Sequence, residues 1–136
     1  MDNILKAIFA KAGAATNLYA DVGGRIYLDE APEGAAFPYV VISIVSSSPD
    51  YNFTDCLEDT AIQFSLYSDS SSIAELATIY GHLKALFDES VLSITGSTCL
   101  HCRRKNFITM PIETTTPSGT TLLRHWAVEY ELLTET

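Results

Sequence analysis

The stretch Cys99-Leu100-His101-Cys102 holds the residue types best suited to chemistry, two thiols three apart with an imidazole between them. Such groups bind zinc or exchange disulfides where their geometry allows it. Tetrahedral zinc needs four ligands, and CxxC pairs come in twos or with a downstream histidine pair. The remaining candidates, Cys56, His82 and His125, stand at no such spacing. Redox-active CxxC thiols sit at a helix N-terminus that lowers their pKa, whereas residues 98–109 read as a strand. In a regular strand, positions three apart project to opposite faces, so the two thiols are expected to diverge unless a bulge intervenes. Three cysteines make no paired framework, and Cys56, Cys99 and Cys102 read as free structural thiols.

The other constellations are weaker. His82, His101 and His125 are isolated, and neither a GxSxG elbow nor an HExxH pair is present. His82 falls at the edge of a helical apolar face, and His125 is expected to point away from its neighbour Trp126. Asp29, Glu30 and Glu33 lack the regular spacing and fixed glycine of a calcium loop and read as a solvated acidic segment. Gly23-Gly24 belongs to no phosphate-cradling pattern. The reading is a protein that is not an enzyme, with no catalytic residues, no cofactor and no metal.

Bulk properties narrow the class. The 136 residues fit a single domain spanning 1–136. With 47% hydrophobic and 18% charged residues, the chain has a globular composition. No apolar run approaches the roughly 18 residues of a membrane span. The start Met1-Asp2-Asn3 lacks the basic and apolar regions of a secretory leader, so synthesis and folding in a cytosol are expected. Net charge is −9, from 17 acids against 8 bases, with acids spread over both halves. A surface of that sign repels phosphate backbones. The one basic run, Arg103-Arg104-Lys105, reads as a solvated strand end.

Residues 3–20 are expected to form a helix: Asp2 can cap it, and Ile4, Leu5, Ile8, Phe9, Ala12 and Ala15 make one apolar stripe. Gly23-Gly24 ends it. Arg25 to Leu28 reads as a short strand, 29–38 as a Pro/Gly loop, and Tyr39 to Val45 as a β-branched central strand. Thr60 to Tyr67 alternates, with Ile62, Phe64 and Leu66 facing one way and Gln63 and Ser65 the other. Ser72 and Glu75 have capping-box spacing ahead of a second helix whose apolar face is Ile73, Leu76, Ala77, Tyr80, Leu83 and Phe87. Strands at Val91 to Thr95 and Thr98 to Thr109 follow. A last strand, Leu122 to Leu133, places Trp126, Val128, Tyr130 and Leu132 opposite Glu129 and Glu131. The expected fold class is α+β, a mainly antiparallel sheet with two helices packed on one face, in the order α-βββ-α-βββ.

Two segments remain, 46–57 and 111–121, which read as long loops by their serines, threonines, prolines and acids. Long loops with apolar tips are common interaction sites, and tyrosine and phenylalanine are favoured anchors. The protein-interface candidates are therefore Tyr51, Asn52, Phe53, Met110, Ile112 and Glu113.

Val22-Gly23-Gly24-Arg25-Ile26-Tyr27, followed by Ala31-Pro32-Glu33-Gly34-Ala35-Ala36-Phe37-Pro38-Tyr39-Val40-Val41, resembles the tail completion (tail-terminator, head–tail joining) family of long-tailed phages. The resemblance extends to the alternating strand at 60–67, the Ala- and Leu-rich helix and the closing strands. It implies an α+β structural subunit that forms a homo-oligomeric, usually hexameric, ring at the head-proximal end of the tail tube. Such a ring stops tube polymerisation and presents the head-docking surface. The implied partners are further copies of the chain, the tail-tube protein and the head connector, with no membrane and with DNA only as passing cargo. The implied location is the neck of the virion, assembled in the host cytoplasm. Acidic groups lining such a ring would keep passing DNA from adhering. Alternatives are a head-completion adaptor, a zinc-stabilised module and a small-molecule-binding or enzymatic α+β domain using His82, His101 or His125.

Overall fold

The computed structural model describes residues 2–14, 16–51, 56–69, 73–116 and 119–135. Its elements are α1 (Asp2–Gly13), α2 (Asn17–Asp21), β1 (Ile26–Leu28), β2 (Tyr39–Tyr51), β3 (Cys56–Ser68), α3 (Ala74–Phe87), β4 (Thr98–Thr116) and β5 (Gly119–Glu135). The strands form one five-stranded sheet in the order β1-β2-β3-β5-β4. β2, β3, β5 and β4 pair antiparallel, while β1 joins β2 in parallel, Ile26 opposite Val40. A parallel pair needs a crossover rather than a tight turn, and 29–38 supplies it.

Strand alternation decides where the core lies. Val40 and Ile42 on β2, Ile62, Phe64 and Leu66 on β3, and Val128, Tyr130 and Leu132 on β5 alternate along their strands and join one buried cluster. The same cluster holds Ile4, Ile8 and Ala12 of α1, Leu18 of α2, and Leu76, Ile79, Leu83 and Phe87 of α3. Phe64 is its aromatic centre, 4.8 Å from Phe87 and 5.5 Å from Tyr130 between ring centroids. Tyr130 is completely buried, and its hydroxyl donates to Asp88. Burial and that carboxylate push the Tyr130 pKa well up.

Several expectations need correction. The expected long first helix is two, α1 ending at Gly13 and α2 starting at Asn17, because Thr16 caps twice: its hydroxyl donates to Ala12 O (3.0 Å) and accepts from Tyr19 N (3.1 Å). A side chain that satisfies both helix ends competes successfully with continuation. Residues 91–95 form no strand, so two strands rather than three follow α3. Leu92 and Ile94 still pack on the core, which explains the alternation without a ladder partner. The α3 N-cap position is Ile73, without a side-chain cap. Glu75 instead accepts from Ser68 Oγ at 3.0 Å, and Ser72 lies outside the described residues. The buried α3 stripe runs through Ile79, with Ile73 and Ala77 exposed.

The two presumed loops are mostly strand. Residues 46–51 continue β2 against 56–61 of β3 after a register shift at Val45, and 111–116 continue β4 against 119–124 of β5. The Ser47 hydroxyl reaches across the ladder to Glu58 and, at 3.3 Å, to Thr60. Beyond the short β1, Pro49 lies on a strand whose outer side has no partner among the described residues, and Pro111 lies on the outermost strand β4. Both are positions where a missing N–H costs no ladder bond. Threonine is β-branched, so Thr114 to Thr116 suit an extended ribbon as well as a turn.

Candidate functional site

The glycine pair is held by its neighbours. Gly23 (φ 58°) and Gly24 (φ 78°) take left-handed backbone to leave α2, and a Cβ on Gly24 would fall 2.9 Å from the Tyr19 hydroxyl. Arg25 then reaches across to the far end of the crossover. Its Nε donates to Pro38 O (3.0 Å) and its guanidinium to Phe37 O (3.2 Å), while Val40 N donates to Arg25 O (3.0 Å). The segments 22–27 and 37–41, on either side of the crossover, thus form one interlocked corner that fixes β1 against β2. Its arginine is spent on backbone carbonyls rather than on a ligand.

From that corner an aromatic row crosses the side of the sheet turned away from the core. Tyr39 packs 5.9 Å from Tyr27, 5.1 Å from Phe37 and 4.9 Å from Tyr67, and Tyr67 stacks 4.3 Å from His125 at 11°. Met110, opposite His125 in the β4–β5 ladder, continues the row and is exposed. These large rings cover the smaller residues beside them, leaving Val41, Ser65 and Ala127 buried. Burial raises the pKa of Tyr39 and Tyr67 and lowers that of His125. His125 does point away from Trp126, which packs against the core. Its Nε2 is buried without a hydrogen-bond partner among the described residues.

The cysteine stretch behaves differently from the regular-strand expectation. A register shift between Cys99 and His101 inserts one residue, and Cys99 and Cys102 are both buried in the core cluster. The bulge reverses the side-chain phase, so the two thiols share a side instead of diverging. Burial pushes the Cys102 thiol up to about 11, so it stays protonated and weakly reactive at neutral pH. Among the described residues no group of three His, Cys, Asp or Glu side chains is placed to hold a metal ion. His82 contacts Asp21 and ties α3 to α2.

Arg103, Arg104 and Lys105 lie within β4, not at its end, beside a second register shift. Arg104 donates to the Tyr80 hydroxyl at 2.6 Å and approaches Asp88 at 3.4 Å; Arg103 approaches Glu89 at 3.4 Å. The Tyr80 ring is a platform: Phe107 stacks on it at 4.7 Å, Trp126 meets it edge-on at 6.2 Å, and Lys84 sits 4.6 Å from its centroid. A shallow recess of about 320 Å³ beside it is lined by Tyr80, Arg104, Lys105, Asn106 and Phe107. Sequence reasoning missed this cluster because Tyr80 and Phe107 lie on different elements; the basic run was its only local sign.

The expected interface residues separate to opposite ends of the sheet. Tyr51 closes β2 where Leu57 of β3 meets Glu135 of β5, whereas Met110, Ile112 and Glu113 lie toward the far end of β4. Asn52 and Phe53 fall outside the described residues, and Tyr51, Ile112 and Glu113 are described in backbone only. Pairing of β3 with β5 stops at Ser68 and Arg124. Beyond it, 112–116 and 119–123 project as a two-stranded ribbon.

With this geometry in view, comparisons with known proteins are specific. The family model described as "Tail completion protein gp17" matches residues 6–135. A solved chain from a structure titled "Virion of native gene transfer agent (GTA) particle" superposes with a TM-score of 0.75 at 14% identity, covering 96% of this chain and 93% of that one. A second solved chain gives 0.54 at 16% identity, covering 96% and 94%. At such identities the two structures show a shared fold. No curated protein matches the chain in sequence.

Proposed function

The chain belongs to the tail completion family of phage structural proteins, and we propose that it forms a homo-oligomeric ring at the head-proximal end of the tail tube. There it ends tube polymerisation and offers the surface on which the head connector docks. The observation that carries this reading is the family match over nearly the whole chain. A like fold in a gene transfer agent virion agrees with a place in the particle. No membrane and no bound nucleic acid enter the reading, and DNA passes through the ring past acidic side chains.

A ring between tube and head must meet different partners above and below. The strand ends Tyr51 and Cys56, and Thr116 and Gly119, lie at opposite ends of β5. Sixteen steps of an extended strand would separate them by roughly 50 Å. We assign the sequence segment Tyr51, Asn52 and Phe53 to one partner and the ribbon beyond Met110, with Ile112 and Glu113, to the other. Changing Tyr51→Ser and Phe53→Ser together, with the fold verified by circular dichroism, should weaken assembly with tail-tube subunits; unchanged assembly removes that segment from the interface. Imaging of a phage lacking the protein tests the reading as a whole. Overlong tails are expected. Full heads beside normal-length detached tails would instead make it a head-completion adaptor.

A further inference from the structure

The outer edge of β2 changes chemistry along its length. Val40, Val41 and Ile42 are apolar and β-branched, and β1 pairs with these three. Further on, the register shifts between Ile44 and Ser46, and Ser46-Ser47-Ser48-Pro49 follows. Bulges and proline blunt a strand edge, whereas a flat apolar edge invites pairing with a stray strand. β1 thus covers the stretch of β2 that has no such protection of its own.

The cover is lightly held. From Gly23 to Tyr39 no residue is buried, although Val22 before this span and Val40 after it have no solvent exposure. Ile26 packs half-buried against the core cluster, and Leu28 is exposed. The rings of Tyr27 and Phe37 pack on Tyr39, at the end of the span itself. The backbone is tied to β2 over three positions, where Asp29 N donates to Ile42 O (2.9 Å) and Val40 N to Arg25 O (3.0 Å). The Arg25 guanidinium, on Phe37 O and Pro38 O, closes the start of the span onto its finish. A Cβ on Gly23 would fall 2.9 Å from Arg25 Nη1, so glycine leaves the space that this clasp occupies. Arg25 therefore serves both the ladder, through its carbonyl, and the closure, through its side chain, and losing its hold loosens both together. Segments with few buried apolar contacts and exposed backbone bonds open at a lower free energy than the whole domain.

We infer that residues 23–38 form a strap, clasped by Arg25, that opens as one unit while the rest of the fold stays closed and so uncovers the apolar edge of β2. Such opening belongs to the single chain and does not depend on ring formation.

Native-state hydrogen exchange tests the strap. The amides of Asp29 and Val40 report its opening, and that of Phe64, paired on both sides at the centre of the sheet, reports the whole fold. In the wild type, Asp29 and Val40 should share one level of protection, roughly a hundredfold or more below that of Phe64. Arg25→Met keeps the aliphatic stem and removes the donors. It should speed exchange at both strap amides about tenfold or more, the worth of charged hydrogen bonds, and leave Phe64 unchanged. Arg25→Lys keeps the charge without the fork and should fall between the two. Protection at Asp29 and Val40 equal to that at Phe64 in the wild type overturns the strap, which would then open only with the whole domain. Asp29 and Val40 exchanging at unrelated rates overturns the single unit and leaves a frayed loop. Phe64 losing as much protection as Val40 in Arg25→Met and in Arg25→Lys assigns the arginine to the global fold and overturns the clasp.

Discussion

The two sides of the central strands carry aromatic residues in almost equal number but use them differently. On the core side, Phe64, Phe87 and Tyr130 meet at centroid distances between 4.8 and 6.1 Å with essentially no solvent exposure. On the other side, Tyr27, Tyr39 and Tyr67 stay half-buried and stack in a row that ends on His125. Both sets are one strand position out of phase with each other, so a single register fixes both. Burial area separates them energetically. A ring sealed on all sides contributes its full transfer free energy, and a ring lying on a sheet surface contributes a part of it.

The sharpest way to break that comparison is to truncate one ring on each side. Phe64→Ala should cost about 3–5 kcal/mol, since its neighbours are fixed by the sheet and by α3 and cannot collapse into the space. In a domain of this size that is a large share of the total stability. Tyr67→Ala should cost less than half as much. Denaturant unfolding of the two variants checks the ordering, and equal losses would mean that the outward row is as much a core as the inner cluster.

A narrower test stays within the core. Tyr130→Phe keeps the ring and removes the hydroxyl that donates to Asp88. The carboxylate keeps Arg104 at 3.4 Å but loses its partner in the core. A loss of about 1–3 kcal/mol is expected, the cost of leaving a partly buried acceptor unsatisfied. A neutral result would show that water or Arg104 already satisfies Asp88.

Much of this two-sidedness was legible in the sequence. The alternation of Ile62, Phe64 and Leu66, and of Val128, Tyr130 and Leu132, sorted the strands' sides correctly, because period-two burial is a local property. What failed was composition used as a proxy for conformation. Serine- and threonine-rich 46–57 and 111–121 read as loops, yet the hydroxyls of Ser47 and Thr60 meet across a ladder, and Thr114 to Thr116 extend one. The helix break at Thr16 and the bulge at Leu100 depend on one side-chain bond and one inserted residue, which periodicity averages away. The candidate surface was least legible. Its aromatic row joins four strands and a crossover, which become neighbours only when the strand order is known.

The smallest expected effect distinguishes the outward side by pH. His125 sits at the end of the aromatic row, stacked on Tyr67, and burial lowers its pKa below the ordinary histidine value. The unfolded chain therefore takes up this proton at a higher pH than the folded one. By linkage the group's contribution is intact above the unfolded value of about 6.5 and is lost as pH falls through the lower folded value. His125→Phe keeps a flat ring against Tyr67 and removes the titration. Between pH 8 and pH 5 the wild type should lose stability that the variant keeps, so their unfolding midpoints should draw together or cross as the solution is acidified. Midpoints that run parallel across that range would mean that the imidazole protonates equally in both states. The outward row would then admit water to His125 as freely as an open surface does, and its likeness to the sealed core would end at Tyr67.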